Sequence, residues 1–147
     1  MKLYLASDHA GFDLKEEIKL YLLSKNYEVE DCGNSTRDPN DDYPDFISKA
    51  AEKVSTDGSS RGIVFGKSGT GEAIVANKFK NVRAVVGFNL ENVSLSRTHN
   101  NANVLSLGSQ FVGLDLAKEM VDAFLSTEFP NEERHVRRIN KIKLLEK

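Results

Sequence analysis

A short glycine-rich stretch, Gly66–Gly71, carries the residue types in this sequence that are best suited to chemistry. It follows an apolar run, Ile63–Phe65, and precedes a segment of helical composition that opens on Glu72. Glycines allow positive φ and close approach to the main chain, so successive N–H groups at a helix start can converge on an anion or a developing oxyanion. The stretch therefore predicts an anion cradle with a carboxylate beside it.

Known nucleotide-binding and hydrolase motifs do not fit this stretch. A Walker A loop needs its first glycine where Arg61 stands, and a dinucleotide fingerprint needs glycine or alanine where Ile74 stands. Thr70 replaces the second glycine of a hydrolase nucleophile elbow. Taken alone, the stretch also fits a tight strand-to-helix turn in which Glu72 only complements the helix dipole.

The composition is that of an ordinary globular protein. The 147 residues are 39% hydrophobic and 29% charged, which suits one domain with a proper core. The formal net charge of −2 gives no basic field, so we expect no nucleic-acid and no membrane partner. The sequence shows no apolar stretch of membrane-span length and no signal-peptide core, which favours a cytoplasmic location. Cys32 is the only cysteine, so an internal disulfide is excluded and a small buried apolar role is expected.

Strand-like and helix-like segments alternate along the chain. This alternation predicts the α/β fold class, as a Rossmann-like three-layer sandwich with a five-stranded parallel sheet and a charged C-terminal helix. The expected strands are Leu3–Ala6, Tyr27–Asp31, Gly62–Phe65, Arg83–Phe88 and Val104–Leu107. The expected helices run from about Phe12 to Leu22, from Pro44 to Val54, from Glu72 to Asn77, from Leu90 to Arg97, from Leu114 to Leu125 and from Glu132 to Leu145.

Polar side chains follow three of the predicted strands. Asp8 and His9 follow the first strand, Ser68–Glu72 the third and Ser109 the fifth. Parallel sheets bind ligands beyond the carboxyl ends of their strands, so we expect these side chains to gather at one edge. A solvated or capping role is the ordinary alternative for a histidine at a strand end.

Two more polar groups lie later in the chain. His99 sits in the run RTHNNAN, residues 97–103, which holds more asparagines than solvation alone calls for. Arg134 and Arg138 are four residues apart on the predicted last helix, a spacing that lets both reach one phosphate, whereas Arg137 points elsewhere. A solvated basic face is the alternative for this helix.

Together these segments resemble the ribose-5-phosphate isomerase type B family, which includes the galactose-6-phosphate isomerase subunits. The resemblance rests on five motifs in order: SDHAGFDLK, DYPD, GKSGTGEAIVANKF, RTHNNANVLSLGSQ and RHVRR. It spans nearly the whole chain and implies one sugar-phosphate isomerase domain over residues 1–147. It also implies metal-independent chemistry without a cofactor, and homodimers or dimers of dimers whose active sites draw on both subunits.

The resemblance also implies roles for individual residues. Asp8 and His9 would contact the sugar and phosphate, His99 would assist opening of the furanose ring, and Asn100 would line the site. Arg134 and Arg138 would bind phosphate.

The chain departs from many members of the family at the proton-shuttling base, because they have a cysteine where this chain has Ser68. A serine with no adjacent base has too high a pKa to remove a carbon-bound proton. Another branch of the family has serine there with a glutamate four residues on, which matches Glu72, so Glu72 is the expected base. Thr70 and the N–H groups of Gly69 to Gly71 are expected to stabilise the developing oxyanion.

Gln110 is a second departure, because relatives commonly have an arginine after Gly-Ser that helps to bind phosphate. Its loss removes charge-assisted hydrogen bonds worth roughly 1.5–3 kcal/mol each, which implies weaker phosphate binding or a different sugar phosphate. The expected reaction is interconversion of D-ribose 5-phosphate and D-ribulose 5-phosphate through ring opening and an enediolate. The alternatives are isomerisation of a hexose or tetrose phosphate, and a non-catalytic sugar-phosphate-binding module.

Overall fold

The computed structural model describes residues 1–147 and contains five strands and six helices. In chain order the elements are β1 Lys2–Ser7, α1 Phe12–Ser24, β2 Glu28–Asp31, α2 Pro44–Thr56, β3 Arg61–Gly66, α3 Thr70–Ala76, β4 Ala84–Val86, α4 Leu90–Asn100, β5 Val104–Gly108, α5 Leu114–Ser126 and α6 Glu133–Lys143. Every predicted strand and helix is present, with ends that differ by a few residues.

The five strands form one parallel sheet in the order β2-β1-β3-β5-β4. The register aligns Ser7 with Phe65 and Gly66 with Gly108, so β1, β3 and β5 end together. We call this side the carboxyl-end edge of the sheet, and the opposite side, where Gly62 pairs with Val104, the amino-end edge.

Both faces of the sheet are covered, because the central strands are apolar on both sides. Along β1, Leu3 and Leu5 belong to one buried cluster, while Tyr4 and Ala6 belong to the other. This alternation follows from the two-residue period of a strand. Helices α1 and α5 supply Ile18, Leu22, Met120 and Phe124 to the first cluster, and α2 and α3 supply Ile47, Ala50, Val54, Ala73 and Ala76 to the second. The predicted three-layer sandwich is confirmed.

Several side chains of the polar run 97–103 form hydrogen bonds with the backbone, which its composition does not suggest. Helix α4 continues to Asn100, three residues beyond its predicted end, and Asn101 closes it in the left-handed conformation with φ of 47°. The buried Arg97 guanidinium donates to the carbonyl oxygens of Ala102 and Thr127. Asn103 accepts from the backbone N–H of Arg83. Two of the three asparagines therefore hold the backbone, and only Asn100 of the three is exposed.

Two other expectations need correction. Strand β4 has three residues rather than the six predicted, and Phe88 lies beyond its end and is exposed. Cys32 is only half-buried rather than buried, and its burial raises the pKa of the thiol to about 11, which disfavours the reactive thiolate. None of the helices is long and apolar enough to cross a membrane.

Candidate active site

The loop after β1 packs on the end of β3, and the loop after β3 packs on the end of β5, through their backbones at the carboxyl-end edge. A Cβ on Gly11 would lie 2.4 Å from the carbonyl carbon of Phe65, and a Cβ on Gly108 would lie 2.4 Å from that of Ser68. Only glycine permits such approaches. The side chains that follow β1, β3 and β5 are thereby gathered at this edge, as expected from the sequence.

The glycine-rich loop turns sharply into α3. Gly69 adopts φ of +80° at the position before the helix, and its carbonyl oxygen accepts a hydrogen bond of 2.6 Å from Ser106 Oγ. Ser68 Oγ accepts from the N–H of Thr70 at 3.3 Å. Gly71 lies against the ring of Tyr43, which leaves no room for a side chain there. Gly69, the residue before the helix, offers no side-chain cap, and of the first N–H groups of α3 that of Thr70 is the one that meets Ser68 Oγ.

Glu72 is buried on the first turn of α3, with 4% of its surface exposed. Its carboxylate lies against the backbone of Gly66, the last residue of β3. Burial raises the pKa of this carboxyl group and the negative charge of Asp8 raises it further, while hydrogen bonds from the backbone N–H groups of Glu72 and Gly69 partly oppose the rise. A carboxylate of raised pKa at an anion cradle has the character of a general base.

Asp8 and His9 are held in different ways beside this carboxylate. Asp8 is buried, and its Oδ1 accepts from the N–H groups of Ala10 and Gly11 at 3.0 and 3.2 Å. His9 is partly exposed, and its ring Nδ1 lies 2.6 Å from Oδ1 of Asp41. The hydrogen bond to Asp41 raises the pKa of His9. Sequence reasoning missed Asp41, which looked like one more polar residue in a turn-rich loop.

Asp8, His9 and Asp41 also offer one ligand atom each within 4.8 Å of one another. Oδ1 of Asp8 and both oxygens of Asp41 already accept hydrogen bonds from N–H groups. This arrangement favours a hydrogen-bonded network over a metal centre. The absence of a metal and of a cofactor stays a prediction.

His99 and the last helix form a second polar group. The exposed His99 ring stacks on His135 of α6, with centroids 4.4 Å apart and planes 16° apart. His135 is buried, its Nε2 has no hydrogen-bond partner, and burial lowers its pKa. Arg134 and Arg138 flank His135 on α6 and are exposed. The His99–His135 contact could not be read from residues 36 positions apart in sequence.

The candidate residues therefore fall into two sets. We call Asp8, His9, Ser68, Gly69, Thr70, Gly71 and Glu72 the first half-site, and His99, Asn100, Arg134 and Arg138 the second half-site. The first half-site lies at the carboxyl-end edge, after β1 and β3.

The second half-site lies at the amino-end edge of the same chain. His99 and Asn100 end α4 just before β5 begins at Val104. The far end of α6 is at the same edge, because Lys143 lines a cavity of about 280 Å³ with Gly58, Arg83 and Asn103, which precede β3, β4 and β5. A strand rises about 3.3 Å per residue, so the length of β5 alone separates the two edges by roughly 13 Å. One chain does not bring the two half-sites together.

Gln110 lies at the carboxyl-end edge, next to the glycine-rich loop. Its backbone N–H donates to the carbonyl oxygen of Lys67 at 3.0 Å, and its side chain is exposed. Ser109 Oγ donates to the carbonyl oxygen of Ala10 at 2.8 Å, which ties the loop after β5 to the loop after β1. An arginine at position 110 would thus project from the first half-site, and here a neutral amide takes its place.

Relatives of known name resemble the chain over nearly its whole length. Ribose-5-phosphate isomerase B of Mycolicibacterium paratuberculosis is 41% identical over 140 residues, covering 95% of this chain and 88% of the relative. The Escherichia coli protein of the same name is 40% identical over 145 residues, covering 99% and 96%.

Solved structures agree with this relationship. Clostridium thermocellum ribose-5-phosphate isomerase B superposes with a TM-score of 0.94 at 44% identity, covering 99% of this chain and 97% of the other. The Mycoplasma genitalium enzyme, whose crystal structure contains bound ribulose 5-phosphate, also gives 0.94, at 40% identity and with coverage of 98% and 95%. The family model described as Ribose/Galactose Isomerase matches residues 3–142. The chain belongs to the ribose/galactose isomerase family, as its five motifs predict.

Proposed function

We propose that this protein is an aldose–ketose isomerase that interconverts D-ribose 5-phosphate and D-ribulose 5-phosphate. The observation that carries the proposal is the buried carboxylate of Glu72, set against the glycine-rich loop at the carboxyl-end edge. Relatives about 40% identical are named ribose-5-phosphate isomerase B, and one of them binds ribulose 5-phosphate.

The reaction moves one proton between adjacent carbons. After the furanose ring opens, Glu72 removes the proton from C2 of the aldose, and the electron pair forms the C1–C2 double bond of an enediolate while charge develops on O1. The proton returns from Glu72 to C1, and the proton of the C2 hydroxyl passes to the negative O1, so that the C2 carbonyl and the C1 hydroxyl of the ketose form together. A partly desolvated carboxylate suits this shuttle, as in unrelated sugar-phosphate isomerases.

The glycine-rich loop stabilises the charge that develops on oxygen. The N–H groups of Gly69 to Gly71 and the hydroxyl of Thr70 are the donors for this charge. The fold orients the backbone N–H groups before the reaction begins, which is the property that makes an oxyanion hole effective. Ser68 lacks an adjacent base, so its hydroxyl contributes a hydrogen bond rather than a proton-abstracting group. Asp8 and His9 bind the substrate from the end of β1.

A complete site requires two copies of the chain. The separation of the half-sites at opposite edges supports a homodimer in which the second half-site of one copy completes the first half-site of the other. Exposed apolar side chains around α3, the edge strand β4 and α4 offer a surface for such pairing: Ile74, Phe88, Leu90 and Leu95. In the dimer, Arg134 and Arg138 bind the phosphate and His99 acts on the ring oxygen, while Asn100 lines the site. Further pairing into a dimer of dimers is compatible with the same contact.

Mixing two variants with complementary defects, assayed at a substrate concentration far below KM, tests the shared site directly. One chain carries Glu72→Gln and the other carries Arg134→Ala with Arg138→Ala. A mixed dimer then has one site with every defect and one site with none. Since half of the dimers in an equal mixture are mixed, about a quarter of wild-type activity is expected. Activity no greater than that of the separate variants would show that each chain holds its own site.

The choice of substrate is tested by a coupled assay of the purified protein over a panel of aldose phosphates. The highest kcat/KM is expected for ribose 5-phosphate. A higher value for a hexose or tetrose phosphate would reassign the sugar, and binding without turnover of any of them would favour a sugar-phosphate-binding module.

We extend the proposal to residues 1–147 acting as one isomerase domain without metal or cofactor. Their cytoplasmic location stays a prediction of the sequence.

A further inference from the structure

His9 meets Asp41 through two hydrogen bonds to one oxygen atom. The ring Nδ1 lies 2.6 Å from Oδ1 of Asp41, and the backbone N–H of His9 donates to the same oxygen at 3.1 Å. The other carboxylate oxygen, Oδ2, accepts from Nδ2 of Asn34 at 3.1 Å. Both oxygens of Asp41 are thus engaged, and since a carboxylate only accepts, the hydrogen on Nδ1 of His9 must point toward Asp41.

Asp41 is buried by this arrangement and His9 is not. The Asp41 side chain is 4% exposed, whereas that of His9 is 37% exposed. The loop that carries Asp41 is fixed to the end of β1, because Ser7 exchanges backbone hydrogen bonds of 2.8 Å with Gly33 and Asn34. The position of Asp41 is therefore set by the sheet. Nε2 of His9 has no partner within the chain and belongs to the exposed part of the pair.

We propose that Asp41 is a positioning residue for substrate binding: it accepts the hydrogen bond from Nδ1–H of His9, so that in the imidazolium form Nε2–H is left to donate to a phosphate oxygen of the substrate. The proposal rests on the proposed function, which puts a sugar phosphate at the first half-site. A hydrogen-bonded partner on one ring nitrogen fixes the role of the other, and this is how a carboxylate commonly orients a functional histidine.

The charges around His9 act in the same direction. The hydrogen bond to Asp41 is the main cause of its raised pKa, and the negative charges of Asp8 and Asp38 add to it. A raised pKa keeps the imidazolium form to higher pH, and in that form Nε2 is a charged donor suited to a phosphate dianion. Phosphate affinity should therefore be full at low pH and fall as pH rises through the raised pKa of His9.

The ring form of His9 can be measured in the unmodified protein. The chain has three histidines, so two-bond proton–nitrogen NMR spectra are simple to assign. Above the pKa of His9, we expect the neutral ring to carry its proton on Nδ1. A neutral ring protonated on Nε2 would overturn the proposal without any variant being made.

Asp41→Asn separates positioning from general folding. The amide keeps the size of the side chain but loses the charge. Its NH₂ group must face one of two donors, Asn34 Nδ2 or His9 Nδ1, so one of the two hydrogen bonds is lost. The pKa of His9 should fall toward the ordinary value of about 6.5. At a pH between the two measured pKa values, inorganic phosphate and ribose 5-phosphate should bind roughly tenfold more weakly, the size of one lost charge-assisted hydrogen bond, with kcat little changed.

Asp38→Asn is the matched control. Asp38 lies on the same loop, contributes negative charge near His9, and makes no hydrogen bond to it; its Oδ1 accepts from the N–H of Asn40, which an asparagine also permits. This variant should move the pKa of His9 and phosphate affinity much less. Equal shifts in both variants, or none in Asp41→Asn, would overturn the proposal. The NMR and phosphate-binding measurements do not depend on turnover. Absence of activity on ribose 5-phosphate would therefore refute the proposed function without deciding the role of Asp41.

Discussion

The carboxylate of Glu72 lies in the space that a side chain on Gly66 would occupy. A Cβ at position 66 would be 1.8 Å from Oε1 of Glu72, much closer than any real contact. Gly66 ends β3 with no requirement for positive φ, so its glycine is needed for room rather than for backbone freedom. The position of the candidate base is therefore set by the missing side chain of the residue that directly follows the apolar run Ile63–Phe65.

Gly66→Ala is expected to displace Glu72 while the sheet stays intact. A misplacement of about 1 Å at a reacting group costs roughly a hundredfold in rate, so kcat should fall by about that factor. Steady-state kinetics and a thermal melt would separate the loss of rate from the loss of fold. Gly58→Ala is the control, because no atom lies within 4 Å of a Cβ there. Unchanged kcat in Gly66→Ala would mean that the position of Glu72 does not matter to the reaction.

Glu72→Gln should abolish turnover and leave the binding of a substrate analogue nearly intact. General bases contribute about 10²–10⁴ in rate, and the amide cannot take up a proton. Ser68→Ala should lose much less, since Ser68 Oγ serves only as a hydrogen-bonding group. Turnover and analogue titration of both variants check this assignment. Equal inactivity of Ser68→Ala, together with substantial rate in Glu72→Gln, would reverse the roles.

The acid side of the pH profile should report Glu72. Burial raises its pKa, so the reactive carboxylate is lost at a higher pH than an exposed glutamate would show. The profile of kcat should therefore fall on acidification through that raised pKa. Asp8→Asn removes a negative charge that raises the pKa further, so the acid limb should move to lower pH. An acid limb that stays in place or moves upward would contradict the assignment.

His99→Asn should impair cyclic substrates most. An imidazole can exchange a proton with the ring oxygen, and an amide cannot. The variant should lose far more kcat/KM on ribose 5-phosphate than on a four-carbon aldose phosphate, which cannot close a furanose ring because its terminal oxygen carries the phosphate. Parallel assays of the two substrates decide the question. Similar losses on both would rule out a ring-opening role.

The phosphate clamp should depend on Arg134 and Arg138 but not on Arg137. Arg137 is already paired with Glu133 at 2.7 Å, whereas Arg134 has only a longer contact of 3.2 Å to Glu132. Arg134→Ala and Arg138→Ala should each raise KM about tenfold or more and weaken inhibition by inorganic phosphate. Arg137→Ala should do little, and Gln110→Arg should tighten phosphate binding. Equal, small effects of all three truncations would place the phosphate site elsewhere.

The sheet and most helices are predictable from sequence because their signals are local. Apolar runs such as Ile63–Phe65 and helical patterns such as that around Ile47 and Val54 need no knowledge of distant residues. β4 was predicted too long, since Phe88 continues the apolar pattern although it lies past the end of the pairing with β5. Periodicity identifies an apolar segment but not where its hydrogen bonding stops.

The misses at the candidate site share one cause, which is that the partner lies far away in the chain. Asp41 meets His9 across 32 positions, so its loop sequence shows only turn residues. Arg97 binds the carbonyl oxygen of Thr127 across 30 positions, and the asparagines of its run, which solvation did not explain, serve in part to secure the backbone. Side-chain roles set by tertiary contacts have no signal in local composition.

Glu72 and His99 lie at opposite edges of the sheet in one chain. Folding of the chain and completion of an active site are therefore two different events under the proposed function. Under the proposed pairing, a single folded chain, whose two buried clusters both lie within it, lacks a complete active site until it meets a second copy. Under the proposed pairing, the rate of a very dilute sample would follow the square of the chain concentration. Loss of activity on dilution would then report dissociation, with no residue unfolded.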